Sequence, residues 1–224
     1  MASELPFTPE CITITYCHII RYVPPPYTND VLVRLLHLGR FFLSESTHMF
    51  ALHNIDARKW NFNPAHLIQL CFEFNTQLFF VHAFSRLVKT SLLKFRPEDK
   101  AMMGPIVYHA VAEVRESLDD HRRTIACEAP IITSHAYDCI NHEQCNDDWY
   151  AVWWNGMARY LLDGRHPLSY DEAFKRFELL EFGMMGPGCK QSMLALVREG
   201  AAFRHNTRFV ETTGMHLLEK LIPS

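Results

Sequence analysis

Apolar residues at helical spacing, repeatedly preceded by helix-capping signals, constrain the fold of this chain more than any other feature. Asn63-Pro64 supplies a capping side chain and a first-turn proline ahead of one such stripe. Ser44 precedes a second stripe, and Ser169-x-x-Glu172 forms a capping box ahead of a third. The inward-facing residues predicted for these stripes are Met49, Leu52, Ile55, Leu67, Leu70, Cys71, Phe74, Phe174, Phe177, Leu180 and Phe182. The pattern predicts an all-α fold.

Further helices are expected on both sides of these stripes. A helix capped by Asn29-Asp30 is predicted to continue to Phe42. Pro97 opens another, in which Pro105 either causes a kink or marks the true start of the helix. Later helices are predicted at about 149–163, 189–203 and 207–221, with a polar loop at 141–148. Residues 11–23 are rich in β-branched side chains but have no obvious partner strand, so their state stays open.

Composition excludes several classes of protein. The 224 residues are 48% hydrophobic and 21% charged, which provides a large core and argues against disorder. The net charge of −3 and the scattered basic residues do not favour binding to nucleic acid or to an anionic membrane. We expect a cytoplasmic protein with reduced thiols. The seven cysteines lack the spacing of a disulfide framework, and the sequence shows neither a signal peptide nor an apolar run of bilayer length.

The stretch from Ala129 to Ala136 places an imidazole five residues after a proline. If Pro130 opens a short helix, His135 lies at the tip of an apolar face formed by Ile131 and Ile132. Such a histidine is either a partly buried core residue or an axial ligand to haem iron. Both interpretations are open from these residues alone.

Several motifs around this stretch agree in order and spacing with one family. Pro-x-x-x-Ser-His-Ala resembles the proximal segment of globins, particularly the myoglobin-like ones. Leu43-Ser44-Glu45 resembles the start of a globin, and Phe84 follows 41 residues later, where the family has a phenylalanine packed on the haem. Residues 102–107 resemble the distal helix, and Arg165-His166-Pro167 resembles the turn between the last two helices. The resemblance covers residues 43–183, so 1–42 and 184–224 become helical extensions.

The resemblance implies a globin-like helical sandwich that binds one haem b through His135. Ser134 would hydrogen-bond the ring nitrogen of His135 that does not touch the iron. The other residues that the resemblance places at the haem are Phe84 on the porphyrin, Arg86 at a propionate, Leu70, Met103 and Val107 on the open side of the iron, and Trp154 at the haem edge or in the core. Met103 stands where histidine is usual, and its sulfur is an alternative sixth ligand, ahead of His109.

Three functions follow as alternatives. The first is reversible binding of a diatomic gas (O2, CO or NO) for storage, transport or sensing, with a distal pocket that lacks a hydrogen-bond donor. The second is a haem redox protein, such as an electron carrier, nitric oxide dioxygenase or peroxidase-like enzyme, that depends on an external reductase. The third is a haem-free helical interaction protein. We expect a binding protein rather than an enzyme, since no motif of a known catalytic class occurs. The terminal helices either pack on the core or form the contact of a homodimer.

A second set of soft side chains lies just after His135. Cys139, His142 and Cys145 follow one another at three-residue spacing. A zinc site needs a fourth ligand, and no matching Cys/His pair occurs at the usual distance. From the sequence we therefore interpret these residues as a loop that happens to contain soft side chains, with zinc as the minor alternative.

Overall fold

A computed structural model describes residues 27–137, 139–164 and 168–223. Their regular structure is entirely helical, which confirms the all-α class. The segment at 11–23 and the Arg165-His166-Pro167 motif lie outside the described residues. Among the residues that the structure does describe, no helix is both long enough and apolar enough to cross a membrane.

The helices follow one another as nine main elements in the described part of the chain. These are α1 (Asn29–Phe41), α2 (Glu45–Ala57), α3 (Pro64–Phe74), α4 (Phe80–Lys89), α5 (Pro97–Cys127), α6 (His142–Trp153), α7 (Tyr170–Phe177), α8 (Pro187–Glu199) and α9 (Ala201–Leu221). Helix α6 continues through a π-helical turn, Trp154–Ala158, into one last turn, Arg159–Leu161. Short 3-10 turns occupy Lys59–Asn61 and Leu92–Lys94.

The predicted capping signals act as expected at two helices. The Asn63 side chain accepts a hydrogen bond from the amide of Ala65, and Pro64 occupies the first turn of α3. Ser169 accepts from the amide of Glu172 at the start of α7. Helix α1 is capped by the side chain of Thr28 rather than by Asn29-Asp30. These caps explain where the helices begin.

Helix α5 is broken where the sequence predicts a kink. Gly104 has φ 73° and ψ 165°, a conformation that is not helical and that glycine tolerates best. Pro105 follows directly and begins the second helical part, because its ring fixes φ and it has no amide proton to donate.

Two further predictions are wrong. Residues 130–135 are not helical, and residues 142–148 form the start of α6 rather than a polar loop. The Asn141 side chain accepts from the amide of Gln144, which starts α6 seven residues earlier than predicted. The β-branched run Ile131-Ile132-Thr133 favours extended backbone, and the carbonyl of Pro130 accepts from Trp149 Nε1 at 2.7 Å instead of a helical amide.

The described residues form two compact units. Unit 1 comprises the chain up to Tyr108 together with the end of the chain from Leu217, and unit 2 comprises His109–His216. In unit 1 the buried core comes mainly from α1 to α4, with Phe80 and Phe84 stacked at 6.4 Å. Gln77 Nε2 donates to the carbonyl of Ile222 and so ties the end of the chain to this unit.

Unit 2 has a core of its own, centred on tryptophan. Trp149 and Trp153 of α6 are fully buried, and each packs edge-on against Phe177 of α7. Trp153 Nε1 donates to the carbonyl of Ala126 near the end of α5. Cys145 and Cys189 are buried members of the same core. The long non-helical segment 128–141 packs against it, and this segment brings the candidate site together.

Candidate metal centre

Four side chains of unit 2 converge on one point. They are His135, Cys139, Cys145 and Cys189, and their ligand atoms all lie within 4.8 Å of one another. Cys145 and Cys189 are buried, whereas His135 and Cys139 are half-buried. One imidazole and three thiols form a donor set that is typical of zinc in proteins.

Local structure places each ligand. His135 and Cys139 lie on the 128–141 segment, where the amide of Cys139 donates to the carbonyl of Ala136. Cys145 is in the first turns of α6, and its amide donates to the carbonyl of the capping residue Asn141. Cys189 is in the first turn of α8, and its Sγ accepts from the amide of Ala136 at 3.1 Å. The site therefore joins a segment without regular structure to the starts of two helices.

Two of the separations between ligand atoms match those around a single tetrahedral ion. His135 Nδ1 lies 3.5 Å from Cys139 Sγ and 3.7 Å from Cys189 Sγ. Zinc–sulfur and zinc–nitrogen bonds place neighbouring ligand atoms of a tetrahedron about 3.6–3.8 Å apart. An iron–sulfur cluster would instead need its ligands spread around several metal atoms. The geometry therefore fits one mononuclear ion.

His142 lies beside the site rather than in it. Its ring stacks on that of His135 with the centroids 4.1 Å apart and the planes 3° from parallel. His142 is the first residue of α6 and is exposed. The two rings are neighbours, and it is Nδ1 of His135 that faces the sulfurs of Cys139 and Cys189.

Burial raises the pKa of two of the candidate ligand thiols and so favours their protonated form before any metal binds. Burial raises the pKa of Cys145 to about 12, and the neighbouring thiols raise it as well. Burial, and then the hydrogen bond with Cys189, also raises the pKa of Cys139. A divalent cation reverses this preference, because it stabilises thiolates and displaces their protons.

Models of known protein families, curated proteins and solved structures gave no match to this chain. The geometry of the site therefore carries the functional argument.

The residues predicted for a haem divide between the two units. His135, Ser134 and Trp154 belong to unit 2, where Ser134 is exposed and Trp154 is half exposed. In unit 1, Leu70, Phe84, Met103 and Val107 are buried. Arg86 Nη1 donates to the carbonyls of Lys59 and Phe62, so it supports the 3-10 turn between α2 and α3. The haem assignment itself stays a prediction.

The sequence analysis grouped two of the four cluster residues, Cys139 and Cys145, but interpreted them as part of a loop that happens to contain soft side chains. It took His142 rather than His135 as their companion, and it did not consider Cys189 as a ligand. The only local signal for Cys189 is its position in a helix start, directly after Pro187-Gly188. A helix start offers a fixed first turn, but nothing in the spacing connects it to Cys145, 44 residues earlier.

Proposed function

We propose that this chain is a zinc-binding protein in which His135, Cys139, Cys145 and Cys189 hold one structural zinc ion. The observation that carries the proposal is the convergence of four soft ligand atoms within 4.8 Å. The separations of His135 Nδ1 from Cys139 Sγ and Cys189 Sγ equal those of a zinc tetrahedron to within about 0.2 Å.

The ligand count favours a structural role over a catalytic one. Catalytic zinc sites use three protein ligands and leave the fourth position to water or substrate. Here the protein supplies all four, and two of the three thiols are buried. Three thiolates around Zn²⁺ give the centre a net charge of −1, which reduces its strength as a Lewis acid.

Zinc would stabilise the part of unit 2 that has the least structure of its own. The described residues of this segment, 128–137 and 139–141, form no helix, and they connect two helices of the tryptophan core. Binding of structural zinc supplies about 10 kcal/mol or more in small zinc domains, where binding and folding are coupled. The ion would fix the 128–141 segment against α6 and α8, and the chain would act as a zinc-stabilised helical interaction module.

Metal analysis of the purified protein tests the proposal. We expect one zinc ion per chain, and Co²⁺ in its place should give the intense visible bands of a tetrahedral thiolate site. Cys189→Ser should lose the metal or bind it at least tenfold more weakly. Cys127→Ser is the matched control, because Cys127 is an exposed cysteine of the same unit outside the cluster.

The variants Cys189→Ser and His135→Ala together distinguish a zinc site from a haem site. Both hypotheses use His135, but only the zinc site uses Cys189. The haem hypothesis predicts a Soret band that shifts on reduction and again with carbon monoxide, disappears in His135→Ala and persists in Cys189→Ser. That result, combined with no bound zinc in the wild-type protein, would overturn the zinc proposal.

A further inference from the structure

The three thiols of the metal centre differ in their exposure to solvent. Cys145 and Cys189 are buried in the tryptophan core, whereas Cys139 is half-buried. Cys139 lies on the 128–141 segment, and its neighbour Ile140 is fully exposed. Among the three thiols, Cys139 is therefore the one that a dissolved reagent reaches.

The three thiols are also in contact with one another. Cys145 hydrogen-bonds with both Cys139 and Cys189. Cys189 Sγ accepts a further hydrogen bond from the amide of Ala136 at 3.1 Å. Such a donor stabilises a thiolate and lowers its nucleophilicity. Cys145 is therefore the better placed of the two buried thiols to attack an oxidised sulfur at Cys139.

We propose that Cys139 is a site of oxidation by hydroperoxides, hydrogen peroxide included, and that a disulfide between Cys139 and Cys145 then releases the zinc ion. The proposal rests on the proposed function, because zinc ligation holds Cys139 as a thiolate, the form that attacks a hydroperoxide. Cysteines that sense oxidants are accessible thiolates beside a second cysteine that resolves the product. Cys139 and Cys145 have this arrangement.

The reaction has two steps. The Cys139 thiolate attacks the terminal oxygen of the hydroperoxide, so that an S–O bond forms, the O–O bond breaks and the departing alkoxide or hydroxide takes a proton from water. The Cys145 thiolate then attacks the sulfur of the resulting sulfenic acid. In this step an S–S bond forms, the S–O bond breaks and the departing hydroxide takes a second proton. The two sulfurs are oxidised, and the hydroperoxide is reduced to an alcohol and water, or to water alone.

The disulfide removes two of the four zinc ligands. His135 and Cys189 remain, and two protein ligands do not complete the coordination of a structural zinc ion. The ion therefore dissociates. The 128–141 segment is then joined to α6 by the disulfide, but it no longer shares a metal ion with α8.

Hydrogen peroxide added to the zinc-loaded full-length protein tests the proposal. A chromogenic zinc chelator should report the release of one zinc ion per chain. Digestion after Glu143 separates Cys139 from Cys145 in sequence, so the disulfide should keep these two fragments linked until a reductant is added. Dithiothreitol together with Zn²⁺ should restore the zinc-loaded protein.

Two variants identify the thiol that reacts first. Cys139→His replaces the half-buried thiol with an imidazole, which is a zinc ligand without a sulfur to oxidise. The zinc that this variant binds should be released about tenfold or more slowly than from the wild type. Cys127→Ser is the matched control, because Cys127 is an exposed thiol of the same unit outside the cluster. It should release zinc at the wild-type rate.

Three outcomes would overturn the proposal. One is release of zinc from Cys139→His as fast as from the wild type. Another is a disulfide that joins Cys189 in place of Cys145 to Cys139. The third is zinc that stays bound while hydrogen peroxide oxidises Cys127 in the same sample, and this result would leave the zinc site itself intact. A wild-type protein without zinc counts instead against the proposed function. If Cys139→His binds no zinc, the linked fragments of the wild type decide.

Discussion

Asp99 shows how one carboxylate supports two parts of unit 1. Its Oδ2 accepts from the backbone amide of Arg96 at 3.1 Å, which closes the start of α5 in the manner of a capping box. Its Oδ1 accepts from Asn63 Nδ2 at 2.7 Å, and Asn63 itself caps α3. The hydrogen bond that the Arg96 guanidinium donates from Nε to Oδ2 at 3.3 Å, followed by that from Asn63, lowers the pKa of Asp99 below its ordinary value of 3.8.

Asp99→Asn should therefore destabilise the protein near neutral pH, by about 1–2 kcal/mol. Because the pKa of Asp99 is lower in the folded state than in the unfolded state, its contribution is present above pH 3.8 and is lost as the pH falls through the folded value. The free energies of unfolding of the variant and the wild type should then converge in acid. Urea unfolding at neutral and acid pH measures this difference.

Glu98→Gln is the control for that experiment, because Glu98 is an exposed neighbouring carboxylate. It should change the free energy of unfolding by no more than about 0.5 kcal/mol. Equal effects of the two substitutions would show that the charge at Asp99 contributes no more to the free energy of unfolding than the charge of an exposed carboxylate.

Residue spacing drew attention to only two of the four cluster residues and did not predict a metal site, and the reason is physical. Cys139 and Cys145 are close in sequence, so the short connection between them limits how far apart they lie. His142 lies between these cysteines in sequence, yet the structure places the ring nitrogen of His135 against the sulfurs and the ring of His142 on that of His135. Cys189 reaches the site only because α8 packs on the tryptophan core, and contacts of that kind depend on the whole unit.

At the scale of elements, Gly39 allows α1 and α2 to approach closely. A Cβ atom at this position would lie 2.8 Å from the backbone nitrogen of His48 and 2.9 Å from its Cα. Backbone atoms of a helix cannot move aside as a flexible side chain can. The carbonyl of Gly39 also accepts from the amide of Ser44 at 2.8 Å, which shapes the turn between the two helices.

Gly39→Ala should destabilise unit 1 by about 1–3 kcal/mol, because the added methyl group forces the two helices apart. Gly164→Ala is the matched control, since a Cβ there meets nothing within 4 Å. Thermal unfolding followed by circular dichroism should show a clear decrease in Tm for the first variant only. An unchanged Tm for Gly39→Ala would mean that the helices have room to separate without loss of stability.

The sequence predicts a helix correctly where a capping residue is followed by apolar residues at helical spacing. Where only one of these two signals is present, the prediction fails. Asn63-Pro64 and Ser169 each precede a clear stripe, and both helices form there. Pro130 also offers a helix start, but the β-branched residues that follow it favour extended backbone. The first residues of α6 are polar, and apolar residues at helical spacing begin only at Trp149, so the Asn141 cap alone did not predict where this helix begins. The hydrogen bond from Trp149 Nε1 to Pro130 and the packing of this region on the tryptophan core are tertiary contacts that local sequence signals do not reveal.

At the scale of the whole molecule, the four ligands belong to unit 2 alone, and each unit has a separate buried core. The two units should therefore respond differently to loss of zinc. Unit 1 would retain the buried helices α1 to α4, whereas unit 2 would lose the ion that we propose to hold its 128–141 segment to α6 and α8. Removal of zinc by a chelator should increase amide hydrogen exchange by about tenfold or more in residues 128–145 and 187–193, because local opening there no longer has to break metal–ligand bonds.

Exchange in residues 29–89 should stay as it was, and addition of Zn²⁺ should restore the slow exchange of unit 2. Cys189→Ser should show the exchange pattern of the chelated protein without any chelator, and Cys127→Ser should show the native pattern. Uniform acceleration over both units would mean that zinc stabilises the molecule as one cooperative whole. No acceleration near the ligands would mean that the tryptophan core, with Trp149 Nε1 bonded to Pro130, holds the segment without a metal.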